Sequence, residues 1–358
     1  MPTFKSLRAA LTPVLAACCL ATAAPATQAR DAAAKAHLRV VGGLAGVNQY
    51  TQFEEPFWVR ELQRLSAGQL SAEIVPFDRA GIKPPEMLRL MQQGVVPFGT
   101  ALLSLAAPQD MVLSAPDLAG LSPDMGSLRR TVAAYRPFLE KTLREQYGIE
   151  LLAVYSYPAQ VTFCNKPING LADLAGRRVR TSSTSQSDLV EALGGTPVRT
   201  GFAEILANVQ SGNIDCVITG TMSGNTIGLH EVTTHIHSMP VNWGLSIFGA
   251  NVAAWQTLTV AQRNMLKPEI GKLEQQIWDM ADRDTGQGVS CNIGAAACTG
   301  ARKGSMKEVR ASAADEARRR EIFAATVLAR WVQRCGAPCA QVWNQTIGTA
   351  MGITATVR

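Results

Sequence analysis

Several side chains that suit anion binding follow three predicted strands, at the points where those strands end. They are Arg180, Ser182 and Ser183 after the first strand, Phe202 after the second, and Thr219 and Thr221 after the third. Open parallel sheets bind ligands outside these carboxyl ends, beside helix N-termini. An arginine offers charge-assisted hydrogen bonds, and the ring offers an apolar face. The pattern predicts a pocket for an anion with an organic body.

Each of these residues also has a structural interpretation. Arg180 could serve as the partner of a structural ion pair, and Phe202 could be a ring of the hydrophobic core. Ser183 and Thr219 could act as helix caps or turn residues. The residue types alone leave both interpretations open.

The stretch 230–237 suggests a metal site on first inspection. It holds His230, Glu231, His235 and His237, and so approaches the zinc-binding pattern His-Glu-x-x-His. Here the first two histidines are five positions apart, which corresponds to roughly 140° around a helix. Their rings cannot reach one ion from a regular helix. We therefore expect no metal and no other cofactor.

The sequence lacks the motifs of secreted hydrolases. It contains no Gly-x-Ser-x-Gly elbow, no Ser-x-x-Lys pair and no carboxylate pair on a recognisable scaffold. Cys335 and Cys339 enclose three residues near a helix end, whereas a thioredoxin-like site needs two residues after a strand. The sequence favours a protein that is not an enzyme, and a secreted hydrolase is the alternative.

Residues 1–29 are typical of a secretion signal. Lys5 and Arg8 precede a weakly apolar run, and small residues suited to cleavage follow it. The sequence Leu-Ala-Ala-Cys ending at Cys18 also resembles a lipoprotein cleavage box. We expect export to the periplasm, with a lipid anchor at Cys18 as the alternative to plain cleavage.

Length and charge indicate two domains and no nucleic-acid partner. The chain has 358 residues, more than one ordinary core needs. Its net charge of +6 includes the signal charges, and the other basic residues are mixed with acids along helices such as 308–330.

Beyond the signal, no segment has the ~20 uninterrupted apolar residues of a membrane span. Any partner in the membrane must be another protein.

Six of the eight cysteines lie beyond the signal, and an oxidising compartment favours their pairing. The candidate pairs are Cys291 with Cys298, Cys335 with Cys339, and Cys164 with Cys216. The first two pairs are close in sequence, and the third would join two predicted strands of one lobe.

Predicted strands alternate with predicted helices along the chain, which indicates a parallel α/β sheet. The strands are 38–41, 72–76, 178–181, 196–199 and 214–218. The last three form a βαβαβ unit, whose first helix has a capping-box pattern at Ser185–Asp188. A long helix is predicted over 258–282.

The chain resembles the substrate-binding subunits of tripartite ATP-independent periplasmic (TRAP) transporters, of the DctP type. The matching segments are Lys166–Ile168, Leu171–Arg180, Ala192–Val198, Phe202–Glu204, Gly212–Asp215 and Leu229–Val232. The resemblance implies that Arg180 binds a ligand carboxylate. It also places Phe202, Ser183 and Thr219 at ligand-contacting positions.

Two departures from the family pattern bear on the ligand. Gln160 stands where several members carry a further arginine, which removes one positive charge. The segment 97–103 is apolar around Leu102 and Leu103, where sugar-acid binders carry acidic side chains. Trp243, near a predicted crossing between lobes, would offer a stacking face. We therefore expect an aromatic or apolar monocarboxylate.

The resemblance implies a two-lobed periplasmic binding protein fold, with a ligand cleft between the lobes and a long helix spanning both. We expect lobe I at 36–157 and 246–285, and lobe II at 158–245 and 286–358. Hinge closure over a small organic carboxylate would create the form that integral membrane permease subunits recognise. Service to a sensor kinase is the alternative.

Overall fold

The computed structural model describes residues 35–106 and 110–357. The predicted signal segment 1–29 and the alternative lipid anchor at Cys18 lie outside these residues. The strands are β1 (Ala36–Gly42), β2 (Leu70–Pro76), β3 (Phe98–Leu102), β4 (Ile149–Ser156), β5 (Gln160–Cys164), β6 (Arg178–Thr181), β7 (Thr196–Arg199), β8 (Cys216–Gly220), β9 (His235–Asn242), β10 (Leu245–Asn251) and β11 (Lys307–Val309).

Helices cover both sheets. They are α1 (Leu62–Leu65), α2 (Met87–Gln92), α3 (Leu103–Ala106), α4 (Met125–Tyr147), α5 (Thr184–Ala192), α6 (Ile205–Gln210), α7 (Thr221–Thr226), α8 (Leu229–Val232), α9 (Val252–Thr257), α10 (Val260–Asn292), α11 (Ala313–Ile322), α12 (Leu328–Cys335), α13 (Ala337–Gln345) and α14 (Ile347–Met351). Short 3-10 or π segments lie at Gln49–Glu54, Phe57–Glu61, Pro84–Glu86, Met111–Asp117, Leu171–Leu174, Phe202–Glu204 and Phe323–Val327. None of the helices in the described ranges is long and apolar enough to cross a bilayer.

The strands form two mixed sheets. The first has the order β2-β1-β3-β10-β4, and the second has the order β11-β9-β5-β8-β6-β7. In the second sheet β6 pairs in parallel with both β7 and β8, so the predicted βαβαβ unit is present. The antiparallel strands β10 and β5 join the parallel parts to the rest of each sheet. The α/β class is confirmed.

The chain passes between the sheets three times. It leaves the first sheet after β4 and enters the second at β5, it returns between β9 and β10, and it reaches the second sheet again through α10, before β11. The predicted lobe boundaries, 157/158 and 245/246, lie close to the first two passages. The division into lobe I (36–157 and 246–285) and lobe II (158–245 and 286–358) stays a prediction.

Helix α10 contacts elements of both sheets. The indole Nε1 of Trp278 donates to the carbonyl of Val154 in β4, at 2.7 Å. Further along, Nδ2 of Asn292 donates to the carbonyl of Thr221, which follows β8, at 2.9 Å. Helix α10 therefore contacts the first sheet at Val154 and the segment that follows β8 of the second sheet at Thr221.

The long helix continues ten residues past its predicted end at 282, although 283–292 contains two glycines. The reason lies in its packing on α7. A Cβ atom at Gly288 would overlap the backbone at Thr221 and Met222. The glycine thus permits a close helix contact that stabilises this part of α10.

The N-cap of helix α5 lies two residues before the predicted cap, Ser185. Ser183 is the N-cap, and its Oγ accepts from the backbone N–H of Gln186 at 3.1 Å. Several serines of this run could cap the helix. Because β6 ends at Thr181, the helix can begin early, and Ser183 becomes its N-cap.

The three predicted disulfides are present: Cys164–Cys216, Cys291–Cys298 and Cys335–Cys339. The first joins directly paired residues of β5 and β8.

The C-terminal helices contact both layers of the fold. Trp331 of α12 donates to the carbonyl of Met111 at 2.9 Å, and Arg330 pairs with Asp188 of α5 at 3.2 Å.

Candidate functional site

A cleft of about 570 Å³ opens where the carboxyl ends of β6, β7 and β8 face the first sheet. Four of the predicted site residues line it together: Arg180, Gln160, Phe202 and Thr219. They come from β6, from the start of β5, from the turn after β7 and from β8. The topology of the βαβαβ unit brings Arg180, Phe202 and Thr219 to one edge of the sheet, as expected for ligand sites of parallel sheets. The antiparallel pairing of β5 with β8 places Gln160 opposite Gly220 at the same edge.

Arg180 is buried in the cleft wall, with 4% of its surface exposed. Its Nε and Nη2 donate to the carbonyl of Thr200 at 3.2 and 3.0 Å, and its Nη1 donates to the carbonyl of Ile218 at 2.8 Å. No carboxylate among the described residues lies within ion-pair distance of it. Burial lowers the pKa of Arg180 to about 10.

These contacts use three of the five N–H donors of the guanidinium. One N–H on Nη1 and one on Nη2 have no acceptor in the described ranges. A buried cation without a counter-charge is unfavourable unless an anion completes the site. Two free N–H groups on adjacent nitrogens suit a carboxylate, which has two oxygens to accept them.

Gln160 lies beside Arg180 in the cleft and carries no charge. Its Oε1 accepts from Nε2 of Gln186 at 2.8 Å and faces the hydroxyl of Ser182 at 3.5 Å. Phe202 is half-buried and begins a 3-10 turn, and Thr219 is buried near the end of β8. The four predicted residues on the second-sheet side of the cleft thus combine the buried cation of Arg180 with an amide, a hydroxyl and a ring.

Ser183 and Trp243 are not among the residues that line this cleft. Ser183 caps α5, as described above. Trp243 is buried, and its indole Nε1 donates to the carbonyl of Ser122 at 3.0 Å. Its backbone N–H donates to Asp117 at 2.9 Å. These bonds hold the tryptophan in the passage from β9 to β10.

The passage from β9 to β10 is held by the buried carboxylate of Asp117. Its Oδ1 accepts from Trp243, and its Oδ2 accepts from the backbone N–H groups of Gly244 and Leu245 at 2.8 and 3.3 Å. Burial raises the pKa of Asp117 to about 6, although these donors favour the charged form. No pattern in the sequence indicated this contact.

The first-sheet side of the cleft is mainly apolar. It includes Leu44, Phe77, Ile82, Leu102 and Leu105. The predicted wall residue Leu102 lies there, whereas its neighbour Leu103 is buried in the core. Alternation of the side chains at the end of β3 and the start of α3 explains why only one of the pair faces the cleft.

Four charged residues at the cleft were missed by the sequence analysis. They are Asp78, Lys83, Arg199 and Glu204, and all four are exposed. Arg199 ends β7, so the strand-end rule that selected Arg180 would also have found it. The remaining three lie in loops or short turns, where no pattern in the sequence indicated the cleft.

The histidine stretch does not form a metal site. His230 lies on α8, whereas His235 and His237 lie on β9. Glu231 pairs with Arg302 at 2.9 Å, and His237 faces Asp315 at 3.5 Å. Within the described ranges, no group of three or more histidine, cysteine or acidic side chains is arranged to hold a metal ion.

Solved structures of similar architecture cover nearly the whole described chain. DctP7 of Bordetella pertussis, an extracytoplasmic solute receptor binding pyroglutamic acid, matches with a TM-score of 0.74 and 24% identity, over 87% of this chain and 99% of that chain. DctP6 of the same organism, also a receptor binding pyroglutamic acid, matches with a TM-score of 0.75 and 21% identity, over 87% and 99%. A TRAP periplasmic solute-binding protein of Rhodoferax ferrireducens with bound malonate matches with a TM-score of 0.75 and 18% identity, over 88% and 98%.

In sequence, the chain is similar to the ectoine-binding periplasmic protein TeaA of Halomonas elongata. The two are 23% identical over 126 residues, which is 35% of this chain and 37% of that protein. The match therefore spans well under two thirds of TeaA. The family model of DctP, bacterial extracellular solute-binding protein family 7, matches residues 47–289, more than half of the chain. The chain therefore belongs to the DctP family of bacterial extracellular solute-binding proteins, a family of binding proteins and not of enzymes.

Proposed function

We propose that this protein captures a small organic monocarboxylate in the cleft and delivers it to integral membrane permease subunits. The observation that carries the proposal is the buried guanidinium of Arg180, which has two unused N–H groups and no acidic partner among the described residues. A carboxylate would supply both the missing charge and the missing acceptors.

The surroundings of Arg180 favour one carboxylate on an apolar or aromatic body. Gln160 adds no second charge in the interior, and the opposite wall is apolar. At the exposed rim, Lys83 and Arg199 are accompanied by Asp78 and Glu204. A second carboxylate inside would be buried without a cation, which costs several kcal/mol. Aromatic and branched-chain 2-oxo and 2-hydroxy acids meet these conditions.

In the proposed complex, Arg180 binds the carboxylate and Gln160 donates to a ligand oxygen. Phe202 packs on the body of the ligand, and the Thr219 hydroxyl contacts its polar end. The two sheets then close over the ligand by rotation at the passages after β4 and after β9. Closure would bring the apolar wall around Leu102 against the ligand and expel water.

A thermal-shift screen tests the ligand class. The set contains phenylpyruvate, phenyllactate, 4-methyl-2-oxopentanoate and pyroglutamate, with succinate, malonate and galacturonate for comparison. A ligand at a hundred times its dissociation constant stabilises the fold by about 2.7 kcal/mol. Stabilisation by the aromatic and apolar monocarboxylates alone is the expected result. Stabilisation by the diacids alone would contradict the monocarboxylate class, and stabilisation by galacturonate alone would contradict the apolar body. No response to any acid would contradict carboxylate capture.

Delivery is tested separately, by uptake of the best ligand of that screen into vesicles that hold the permease subunits. Uptake should require this protein. Equal uptake without it would contradict the transport part of the proposal and leave a sensory role for the receptor.

A further inference from the structure

We infer that a buried hydrogen-bonded chain fixes the orientation of the Gln160 amide, so that Gln160 presents N–H groups to the cleft. The chain runs from Asp117 through Asn242 and Gln186 to Gln160. Gln160 then selects a ligand that has an acceptor oxygen beside its carboxylate and rejects one that has an ammonium group there. The inference rests on the proposed function and specifies its ligand further.

One end of this chain is anchored at Asp117, which accepts three backbone N–H groups of 243–245. Backbone N–H groups cannot reverse their polarity, so the carboxylate acts there as an acceptor only. Asn242 must therefore turn its Nδ2 toward Oδ2 of Asp117, at 2.9 Å. Its Oδ1 then faces the other way, toward the next amide of the chain.

The other anchor is the backbone N–H of Ser182. It donates to Oε1 of Gln186 at 2.7 Å, which fixes the oxygen of that amide. Nε2 of Gln186 must then point away from Ser182. It donates to Oδ1 of Asn242 at 2.7 Å and to Oε1 of Gln160 at 2.8 Å. Gln186 is fully buried, and both its oxygen and its nitrogen have partners.

The two anchors agree, and together they determine the orientation of Gln160. Reversing its amide would place Nε2 of Gln160 against Nε2 of Gln186, donor against donor. Reversing Asn242 as well would place its oxygen against the carboxylate of Asp117. Every alternative leaves at least one buried polar atom facing a like atom.

Gly244 supports the same position of Gln160 from the passage between β9 and β10. A Cβ atom at Gly244 would overlap Nε2 of Gln160, and the φ of this residue is +77°. The Gln160 amide thus occupies the space left by the missing side chain. Nε2 has no acceptor among the described residues, and Gln160 lines the same cleft as Arg180.

The chemical consequence concerns the atom next to the carboxylate carbon. A 2-oxo or 2-hydroxy acid has an oxygen there that accepts from Nε2 of Gln160. The matching 2-amino acid has an ammonium group, which would face N–H donors and the cation of Arg180. A donor facing a donor leaves both groups unpaired, so we expect roughly ten- to hundredfold weaker binding of the amino acid.

Two neutral substitutions separate the effect of Gln160 from that of Arg180. Gln160→Met removes the N–H groups, and Gln186→Met releases the Gln160 amide to rotate. Binding is measured by calorimetry with phenylpyruvate, phenyllactate and phenylalanine. It is also measured with leucine and its 2-oxo and 2-hydroxy analogues. The control is Gln210→Met, at the exposed end of α6.

In the wild type and the control, the oxygen-bearing acids should bind roughly ten- to hundredfold more tightly than the amino acids. This ratio should fall to a few-fold in Gln160→Met, and lower still in Gln186→Met, where the free amide can present its oxygen to the ammonium group. A ratio that both variants keep at the wild-type value would overturn the inference. Equal binding of amino acids by the wild type would overturn it too, while carboxylate capture would stand.

A measurement on the wild-type protein without ligand tests the orientation of the Gln160 amide directly. It does not depend on whether the variants fold. In wild-type protein labelled with ¹⁵N-glutamine, the side-chain amide protons of Gln186 should exchange slowly with water, and those of Gln160 should exchange fast. Protection of Gln160 equal to that of Gln186 would overturn the inference. If no acid binds the wild type, the proposed function fails, and this exchange experiment alone decides the amide orientation.

Discussion

Arg178 and Arg180 lie two residues apart on β6, and in the described part of the chain only Arg178 has a carboxylate partner. Arg178 donates to both oxygens of Asp215, at 2.8 and 3.0 Å, and this pairing holds the pKa of Asp215 at about 2. Arg180 instead donates to backbone carbonyls and keeps two N–H groups for the cleft. Arg178 thus has a structural role, whereas Arg180, two residues later, has a proposed ligand role.

This difference gives a matched pair of substitutions. Arg180→Ala should abolish stabilisation by the best ligand, because a desolvated carboxylate without its partner loses on the order of 3 to 5 kcal/mol. Arg178→Ala should change ligand affinity little, since its partner Asp215 lies outside the cleft. Calorimetry with the best ligand of the screen measures both. Undiminished affinity in Arg180→Ala would disprove the ligand role of Arg180.

If Arg180 binds a carboxylate, the shape of its guanidinium should matter together with its charge. Arg180→Lys keeps the positive charge but loses the paired N–H groups that contact two oxygens at once. We expect weaker binding than in the wild type, by roughly tenfold or more. Arg178→Lys is the control on the same strand. Equal affinity of Arg180→Lys and wild type would show that only the charge matters.

A second buried carboxylate, Glu54, should make stability depend on pH. It accepts from the backbone N–H of Gly43 at 2.7 Å and from the Thr100 hydroxyl at 2.8 Å. Burial nevertheless raises its pKa from 4.5 to about 7. Between these values the unfolded chain releases a proton that the folded chain keeps, so stability falls as the pH rises from about 4.5 to 7.

Glu54→Gln should remove this loss. At pH 8 the variant should be more stable than the wild type, by up to roughly 3 kcal/mol, and at pH 4 the two should be similar. The amide can be accommodated because the Thr100 hydroxyl can accept as well as donate, and Oε1 of Gln49 has no partner among the described residues. Urea unfolding across this pH range measures the effect, with exposed Glu55→Gln as control. A parallel pH profile in both variants would contradict the prediction.

Two glycines of α10 should respond oppositely to alanine. Gly288 packs on the backbone at Met222, so Gly288→Ala should destabilise the fold by about 1 to 3 kcal/mol through overpacking. Gly286 has open space around its would-be Cβ, so Gly286→Ala should stabilise it by about 0.5 to 1 kcal/mol. Chemical unfolding of the two variants provides the comparison. A loss of equal size in both would mean that the close contact with α7 is unimportant.

The disulfides should differ in their contribution to stability. Cys164–Cys216 closes a span of 52 residues, and Cys335–Cys339 closes one of 4. The entropy of loop closure predicts a loss of roughly 4 kcal/mol when the first pair is replaced by alanines, against roughly 2 kcal/mol for the second. Mass spectrometry of the unreduced mature protein should find all six cysteines beyond the signal without free thiols. Free thiols at Cys164 and Cys216 would refute the first bridge only.

The sequence by itself determined the features that depend on neighbouring residues. The two strands Arg178–Thr181 and Thr196–Arg199, and the parallel unit that contains them, follow from the alternation of strand and helix patterns, in which Gly194 ends the helix between the strands. Arg180 was found because a strand end of a parallel sheet must face the ligand edge. The two short disulfides follow from cysteines that are only a few residues apart.

Tertiary structure decided which of these groups have partners. Contacts between segments far apart in the chain decide that Asp117 accepts from Asn242 and that Trp243 donates to Ser122. They also decide that Arg180 has no carboxylate partner within residues 35–106 and 110–357. The extension of α10 past 282 likewise depends on α7, which no local pattern could reveal. Local periodicity indicates where a strand or helix begins and ends, whereas the partners of a buried polar atom are set by the packing of distant elements, because burial makes each unpaired polar group costly.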